Sequence, residues 1–241
     1  MPLPPAEFAA ALLKEAQATH PWLHHPLFTR LYDGKLTRSQ LQSVIRQQGC
    51  FFLDTLRHAA WKIISVGGEH PTWEDLERQR ALIPLVVEEG GEDTIGGKTT
   101  AHAFLFVRLA EALGISRDEL LRTEYLPTTL IEKNELFLLQ RSSTLEALCG
   151  GNIATESINH IATKRAAESM ERHYGVPREA LDFYYVHMEV EEDHRDRAVR
   201  IIERLATTDE EQARGLLGLR RAITARRICA DGMYEAFVKG D

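Results

Sequence analysis

The sequence predicts an all-α fold, and three observations support this prediction. Ser or Thr stands three residues before Glu, Gln or Asp at four places, which is the spacing of a helix-capping box: Thr37–Gln40, Thr72–Asp75, Ser116–Glu119 and Thr208–Glu211. Apolar residues recur at spacings of three and four, and no persuasive alternating run indicates a strand. No linker is long or repetitive, so the 241 residues are expected to form one helical domain over residues 1–241.

Short polar or glycine-containing breaks separate the predicted helices. They fall at HHP (24–26), DGK (33–35), GGEH (67–70), EGGEDTIGGK (89–98), CGGN (149–152) and YGVP (174–177). The capping boxes and these breaks delimit helices near residues 5–18, 38–66, 72–88, 99–114, 116–124, 128–147, 152–174, 177–206 and 208–238. Pro177 suits the first turn of its helix. The glycines of 90–97 follow a helix and lack a Gly-Lys-Ser/Thr sequence, so this segment is interpreted as a turn and not as a phosphate-binding loop.

Composition and charge exclude several classes of protein. The formal net charge is -7 and no block of Lys and Arg stands out, so neither a nucleic acid nor an anionic membrane is expected as a partner. Three scattered cysteines form neither a disulfide framework nor a zinc knuckle, which fits a cytoplasmic protein. The first residues do not resemble a signal peptide, and apolar runs are too short to span a bilayer. The expected partners are a small-molecule substrate and a second copy of the chain in a homodimer.

The segment VHMEVEEDHRDRA carries potential metal ligands along one face of a predicted helix. His187, Glu191 and His194 are spaced by four and three residues, so they continue the stripe that begins at Phe183. A bundle would ordinarily place Leu or Val there, because burying a polar group without a partner costs roughly 2–7 kcal/mol. A metal ion would supply a partner to all three. The alternative is a solvated or partly hydrogen-bonded face, which the neighbouring charged residues favour.

Three further segments show similar anomalies. His102 begins an apolar stripe, where a hydrogen-bonded core histidine is the alternative to a ligand. Glu156 lies at the edge of the face bearing His160, where the alternative is an exposed acid in a first helical turn. Glu88 and Glu89 end a helix, an electrostatically poor position for acids, so either a bound cation or solvent exposure would be needed.

Together these residues offer about three carboxylates and three imidazoles. Nitrogen and carboxylate oxygen without sulfur suit iron or manganese better than structural zinc. The set exceeds what a single ion with open coordination positions needs, so two ions bridged by carboxylates fit better and leave room for dioxygen.

The same residues resemble the haem-oxygenase-like diiron oxidases and oxygenases, relatives of the TenA thiaminases and of the pyrroloquinoline quinone biosynthesis protein C. The matching motifs are VVEEGGE followed by AHAFLF, NIATESINH, and FYYVHMEVEEDH, flanked by HHPLFTRLYDGKLTRSQLQ and LFVRLAEALG. The resemblance spans roughly residues 20–235. It implies a haem-oxygenase-like bundle of seven to eight helices that contains no haem.

The resemblance implies a ligand set drawn from three core helices. Carried over residue by residue, the implied ligands are Glu88, His102, Glu156, His187, Glu191 and His194. Glu89 is the alternative to Glu88, which is preferred because a Glu-x-Gly sequence precedes the turn in the family. Glu191 replaces the usual Asp and has a longer side chain. His160 is a candidate for an additional ligand or for a hydrogen-bond donor to one.

The implied cofactors are two iron ions, as Fe(II) or Fe(III), with dioxygen as co-substrate. The implied activity is oxidation of a small carboxylate-bearing substrate, an amino acid or a fatty acid, by C–H abstraction, C–C cleavage or N-oxygenation. Such a carboxylate needs a cationic anchor. Lys164, on the stripe of Glu156, is the preferred candidate, with Arg57 and Arg141 as others. The branch of the family that forms p-aminobenzoate in a self-consuming reaction uses tyrosines in its early helices. Phe28 stands in that region here, which argues against this reaction.

Two other functions remain open. One is a metal-independent enzyme of cofactor metabolism of the TenA or pyrroloquinoline quinone type, in which the acids and histidines would bind a heterocycle. The other is a non-catalytic iron-binding bundle of the ferritin type. Ferritin-like sites need Glu-x-x-His on two helices, and only Glu191 with His194 has that spacing, which argues against this second alternative.

Overall fold

Helices make up nearly all of the regular secondary structure in a computed structural model of the chain. The structure describes residues 1–64, 66, 70–92, 94–95, 98–189 and 191–240, with backbone only at residues 74, 92, 94–95, 98–99, 189 and 191–194. The α-helices in these ranges are α1 Pro5–Thr19, α2 Pro21–His24, α3 Pro26–Tyr32, α4 Arg38–Phe52, α5 Thr55–Ile64, α6 Trp73–Val87, α7 His102–Ala112, α8 Arg117–Leu121, α9 Pro127–Gln140, α10 Thr144–Ala147, α11 Ala154–Tyr174, α12 Asp182–Glu189, α13 Glu191–Leu205 and α14 Asp209–Phe237. The predicted all-α class is confirmed.

Short irregular elements connect some of these helices. π-helical segments cover Glu88–Glu92 and Leu148–Ile153, and a 3₁₀ turn covers Arg178–Ala180. Two antiparallel strands of two residues each, β1 (Thr94–Ile95) and β2 (Lys98–Thr99), form a small hairpin in the glycine-rich segment, which the sequence analysis interpreted only as a turn.

All four predicted capping boxes are present. At the start of α4, for example, Thr37 Oγ1 accepts from the Gln40 backbone N–H at 3.2 Å, and Gln40 Oε1 accepts from the Thr37 N–H at 2.9 Å. Each box satisfies two backbone donors that a helix start otherwise leaves unpaired. A fifth box, Ser143 with Glu146, precedes α10 and was not predicted.

Several predicted boundaries need correction. The helix expected over 38–66 is divided at Leu53–Asp54 into α4 and α5, and the helix expected over 128–147 is divided between α9 and α10. The expected break at HHP (24–26) lies between α2 and α3, two short helices that begin at prolines and were not predicted. The helix expected to begin at 177 begins with the 3₁₀ turn and continues as α12 and α13.

The largest difference concerns CGGN (149–152), which was predicted to be a break between two helices. It lies instead in the π-helical segment that joins α10 to α11. A Cβ on Gly150 would lie 2.8 Å from the Gly218 carbonyl oxygen of α14. These glycines therefore permit two helices to approach closely, a role that local sequence does not distinguish from that of a turn.

The buried apolar side chains form two clusters. One centres on α3, α4, α7 and α12 and includes Phe28, Phe106 and Phe183. The other centres on α1, α9 and α14 and includes Leu12 and Leu136. Side chains of both clusters line one internal cavity, so the candidate site lies where they meet. None of the described helices has the length and apolar composition needed to cross a bilayer.

Candidate metal centre

A cavity of about 160 Å³ lies among α4, α5, α11 and α12. One part of its wall is aromatic and includes Trp22, Phe28, Phe52 and Phe183. The other part carries acids, imidazoles and amides, which is the combination expected of a small-molecule site with few polar groups in an apolar pocket.

Glu89 and His102 form the first pair of candidate ligands in this cavity. Glu89 Oε2 lies 3.2 Å from His102 Nδ1, and the two side chains are only 17% and 4% exposed. Burial raises the pKa of the Glu89 carboxyl, but the interaction with His102 and the charge of His187 more than offset this and lower the pKa to about 2. Glu89 is therefore an anion at neutral pH and suited to bind a hard cation.

The backbone explains how residues thirteen positions apart come together. Glu89 lies in the π-helical segment that follows α6, and His102 is the first residue of α7. Gly91 between them has φ of 98°, a conformation that L-residues rarely adopt, and a Cβ there would lie 2.4 Å from the Ala101 nitrogen. The glycine therefore lets the end of one helix pack against the start of the next.

His187 and Glu156 approach the same cavity from α12 and α11. The ring centroids of His187 and His102 are 4.8 Å apart. His187 Nδ1 lies 2.6 Å from the Phe183 carbonyl oxygen; donation to that oxygen would fix the tautomer in which Nε2 is the basic nitrogen, the usual arrangement for a metal-binding histidine. Glu156 lines the cavity, and its Oε1 accepts from Asn152 Nδ2 at 2.7 Å.

π-helical segments adjoin both acids. Glu89 lies within one, and Glu156 follows the other by three residues. A π turn inserts an extra residue into a helix and rotates the side chains that follow, and such turns occur frequently at functional sites. The Gly-Gly pairs Gly90–Gly91 and Gly150–Gly151 are the sequence signals at these positions.

Helix α5 contributes polar residues that were not predicted as part of the site. Thr55, His58 and Lys62 occupy one face at spacings of three and four and line the cavity. Lys62 Nζ donates to Asn152 Oδ1 at 3.2 Å. Burial lowers the pKa of Lys62, while the carboxylates of Glu156 and Glu89 act in the opposite direction. The signal was present in the segment DTLRHAAWK, where these residues interrupt an otherwise apolar helix face.

Not every predicted site residue faces the cavity. Glu88 is half-buried and is not among the described lining residues, whereas its neighbour Glu89 is. Lys164 is 63% exposed and lies 4.0 Å from Glu168 on the surface, so the structure does not bring the preferred anchor to the site. The side chains of Glu191 and His194 lie outside the described residues, and their backbone lies in the first turn of α13.

The side chains that the structure does describe fit a metal centre in the chemistry of their donor atoms. Four N and O donors from four separate elements, Glu89, His102, Glu156 and His187, line one buried cavity. As placed, no three acids, histidines or cysteines among the described side chains form a group tight enough to hold an ion. The described donors alone therefore do not form a complete metal site. The other two predicted ligands, Glu191 and His194, lie at the start of α13, which begins two residues after α12 ends.

Comparisons with known proteins identify the family. A family model described as an iron-containing redox enzyme matches residues 52–227. The chain belongs to this family of iron-containing redox enzymes. The range includes each predicted ligand, and the match confirms the kinship that the motifs indicated and the enzymatic, redox character of the protein.

Two curated relatives and one solved structure show what the chain is similar to in sequence and in fold. The chain is 27% identical to 4-aminobenzoate synthase of Nitrosomonas europaea over 226 residues, covering 89% of this chain and 86% of that protein. It is 30% identical over 122 residues to pyrroloquinoline-quinone synthase of Cronobacter sakazakii, a match that spans 51% of this chain and only 43% of that enzyme. A Shewanella denitrificans domain with a haem-oxygenase-like fold superposes with a TM-score of 0.70 at 13% identity, covering 98% and 94% of the two chains. This likeness confirms the predicted haem-oxygenase-like fold.

Proposed function

We propose that this iron-containing redox enzyme is a non-haem diiron oxidase or oxygenase that uses dioxygen to oxidise a small carboxylate-bearing molecule. The observation that carries the proposal is the convergence of Glu89, His102, Glu156 and His187 on one buried cavity. In this proposal Glu191 and His194 complete the ligand set from the first turn of α13. The first acid is assigned to Glu89, since its carboxylate contacts His102 and that of Glu88 does not line the cavity.

The two iron ions would supply the reactivity toward dioxygen, and the protein would supply geometry and electrostatics. Glu89 is held ionised beside His102, so no proton has to be removed from it before an ion binds. The hydrogen bond between Asn152 and Glu156 orients a second carboxylate. The Phe183 carbonyl oxygen accepts a hydrogen bond from His187 Nδ1, which leaves His187 Nε2 unprotonated and able to bind a metal ion.

The volume of the cavity indicates a small substrate. At about 160 Å³, it is close to the roughly 150 Å³ of a protein cavity that holds benzene. A small amino acid or an aromatic acid fits such a volume better than a long-chain fatty acid does. The aromatic side chains exclude water around the apolar part of the substrate, which strengthens electrostatic interactions within the site.

The likeness to pyrroloquinoline-quinone synthase favours one alternative, a metal-independent enzyme of cofactor metabolism. In that case the cationic side chains Lys62 and Arg226 and the cavity histidines would bind an anionic heterocycle directly. The two functions differ in one measurable property, because only the diiron enzyme requires stoichiometric iron.

Anaerobic titration with Fe(II) tests the proposal. Wild-type protein is expected to bind about two equivalents, and Glu89→Gln and His187→Ala are each expected to lower this stoichiometry. Glu88→Gln is the matched control, since it changes the neighbouring residue in the same way and should retain the iron. Exposure of the loaded protein to dioxygen should then give a transient visible absorption band, and oxygen consumption should rise with the correct amino acid or aromatic acid.

Absence of stoichiometric iron binding by the wild-type protein would overturn the diiron proposal in favour of the metal-independent enzyme. Equal iron content in Glu89→Gln and Glu88→Gln would remove Glu89 from the ligand set.

A further inference from the structure

Arg226 of α14 is a buried cation in the cavity wall. It is only 3% exposed, and it lines both the main cavity and a smaller adjoining chamber of about 30 Å³. Its Nη2 donates to Thr155 Oγ1 at 2.5 Å, and its Nε lies 3.7 Å from Glu132 Oε1. The latter distance is longer than a hydrogen bond, so Glu132 balances the charge of Arg226 without satisfying its N–H groups.

The guanidinium has unused hydrogen-bonding capacity. Among the described residues, neither Nε nor Nη1 of Arg226 has a hydrogen-bond partner, and both atoms are buried. An arginine stays protonated in proteins, so it cannot relieve this cost by losing its charge. A carboxylate is the ligand whose geometry matches the guanidinium, because its two oxygens accept two parallel N–H bonds.

Arg226 is also close to the candidate metal centre. Thr155, which accepts its hydrogen bond, directly precedes Glu156 on α11, and both residues line the cavity. The Cα atoms of neighbouring residues are about 3.8 Å apart. Because Arg226 and the donors of the candidate metal centre line the same small cavity, a small ligand held by Arg226 would lie in the space that these donors face.

Lys62, the other cation that lines the cavity among the described residues, is less suited to hold a ligand carboxylate. Its ammonium donates to Asn152 and is attracted by the carboxylates of Glu156 and Glu89. An incoming anion at Lys62 would meet these two acids, whereas the acid that pairs with Arg226 among the described residues is Glu132. Lys164, the anchor preferred from the sequence, lies on the surface.

We propose that Arg226 binds the carboxylate of the substrate and thereby makes the enzyme selective for small monocarboxylates with an apolar or aromatic body. The apolar part would pack against Trp22, Phe28 and Phe52, which line the cavity beside Arg226. The opposite end of the molecule would then face Glu89, His102 and His187. This assignment rests on the proposed function, since it places the carboxylate at Arg226 and the reacting end at the metal centre.

Calorimetric titration with benzoate and with its neutral analogue benzamide tests this assignment, using purified protein whose iron content is measured first. Wild-type protein is expected to bind benzoate at least tenfold more tightly than benzamide. Arg226→Gln should lose at least tenfold in benzoate affinity and leave benzamide binding unchanged. Arg226→Lys keeps the charge and loses the paired N–H donors, so its benzoate affinity should lie between that of the wild type and that of Arg226→Gln.

Glu132→Gln separates anchoring from a purely structural role of the buried pair. It removes the acid that competes with the ligand for Arg226, so benzoate should bind to this variant at least as tightly as to the wild type. Benzoate should also raise the melting temperature of this variant by more than it raises that of the wild type. If Arg226 merely stabilised the fold, both variants would bind benzoate more weakly in proportion to their loss of structure by circular dichroism.

Four results would overturn the assignment: no benzoate binding by the wild type, equal affinity for benzoate and benzamide, wild-type benzoate affinity in Arg226→Gln, or weakened benzoate binding in Glu132→Gln. The iron content of Arg226→Gln separates this outcome from failure of the proposed function. Retained iron with unchanged benzoate binding would refute only the anchor, whereas a wild-type protein without stoichiometric iron would refute the diiron function.

Discussion

His58 of α5 tests how burial affects the protonation of a histidine in this cavity. Its side chain is 5% exposed and lies between Phe137 and Phe51, with ring centroids 3.9 and 4.7 Å away. Burial lowers the pKa of His58 from 6.5 to about 4, although the charge of Asp54 acts in the opposite direction. Among the described residues, its buried Nε2 has no hydrogen-bond partner.

The sign of the resulting pH dependence follows from proton binding. Between pH 6.5 and 4 the unfolded chain holds a proton on His58 that the folded chain does not, so the free energy of unfolding decreases as the pH decreases. A lowering from 6.5 to about 4, at 1.36 kcal/mol per pKa unit, corresponds to about 3 kcal/mol in total. About 2 kcal/mol of this should be lost by pH 5.

His58→Phe removes the titrating group and keeps an aromatic ring between Phe51 and Phe137. Urea unfolding of both proteins at pH 7, 6 and 5 measures the difference. The wild type should lose about 2 kcal/mol more than the variant between pH 7 and pH 5, with the same m-value. If the free energies of unfolding of the wild type and of His58→Phe changed equally with pH, burial would not be holding His58 neutral, and the predicted pH dependence would be wrong.

Other substitutions test the backbone of the site. Gly91→Ala should lower the free energy of unfolding by more than about 1 kcal/mol and reduce the iron content, while Gly90→Ala, whose Cβ would have no atom closer than 4.0 Å, should do neither. Gly218→Ala should cost about 1–3 kcal/mol by thermal unfolding, because its Cβ would lie 2.7 Å from the Glu146 carbonyl oxygen. Lys164→Ala should change neither stability, iron content nor benzoate affinity; a tenfold loss of that affinity would restore its anchoring role.

Features that depend on a few neighbouring residues could be predicted from the sequence. Thr37 with Gln40 and Thr208 with Glu211 form capping boxes as expected, because both partners lie within one helical turn. The placement of His102 and His187 along the cavity also follows from local pattern, since an imidazole on an apolar stripe is carried inward with its helix.

Features that depend on distant parts of the chain could not be predicted. The choice between Glu88 and Glu89 involves a rotation of about 100° around a helix axis, and the π turn at the end of α6 shifts this rotation. Arg226 carries no local signal, because the features that define it are Thr155, 71 residues away, and the cavity itself. Lys164 was preferred for lying on the stripe of Glu156, but eight residues rotate its side chain by about 80° around the helix axis. Its neighbour Thr163 lines the cavity instead, and Lys164 lies on the surface.

The charges around the cavity link the proposed substrate site to the proposed metal centre. Two acids and two cations are found among its described lining residues: Glu89, Glu156, Lys62 and Arg226. Two divalent ions would add more positive charge than Glu89, Glu156 and the proposed ligand Glu191 neutralise. In a low-dielectric cavity such an excess is costly unless an anion accompanies it. In the proposed complex the substrate carboxylate would be that anion, so metal and substrate are each expected to bind more tightly in the presence of the other, by the reciprocity that governs linked equilibria.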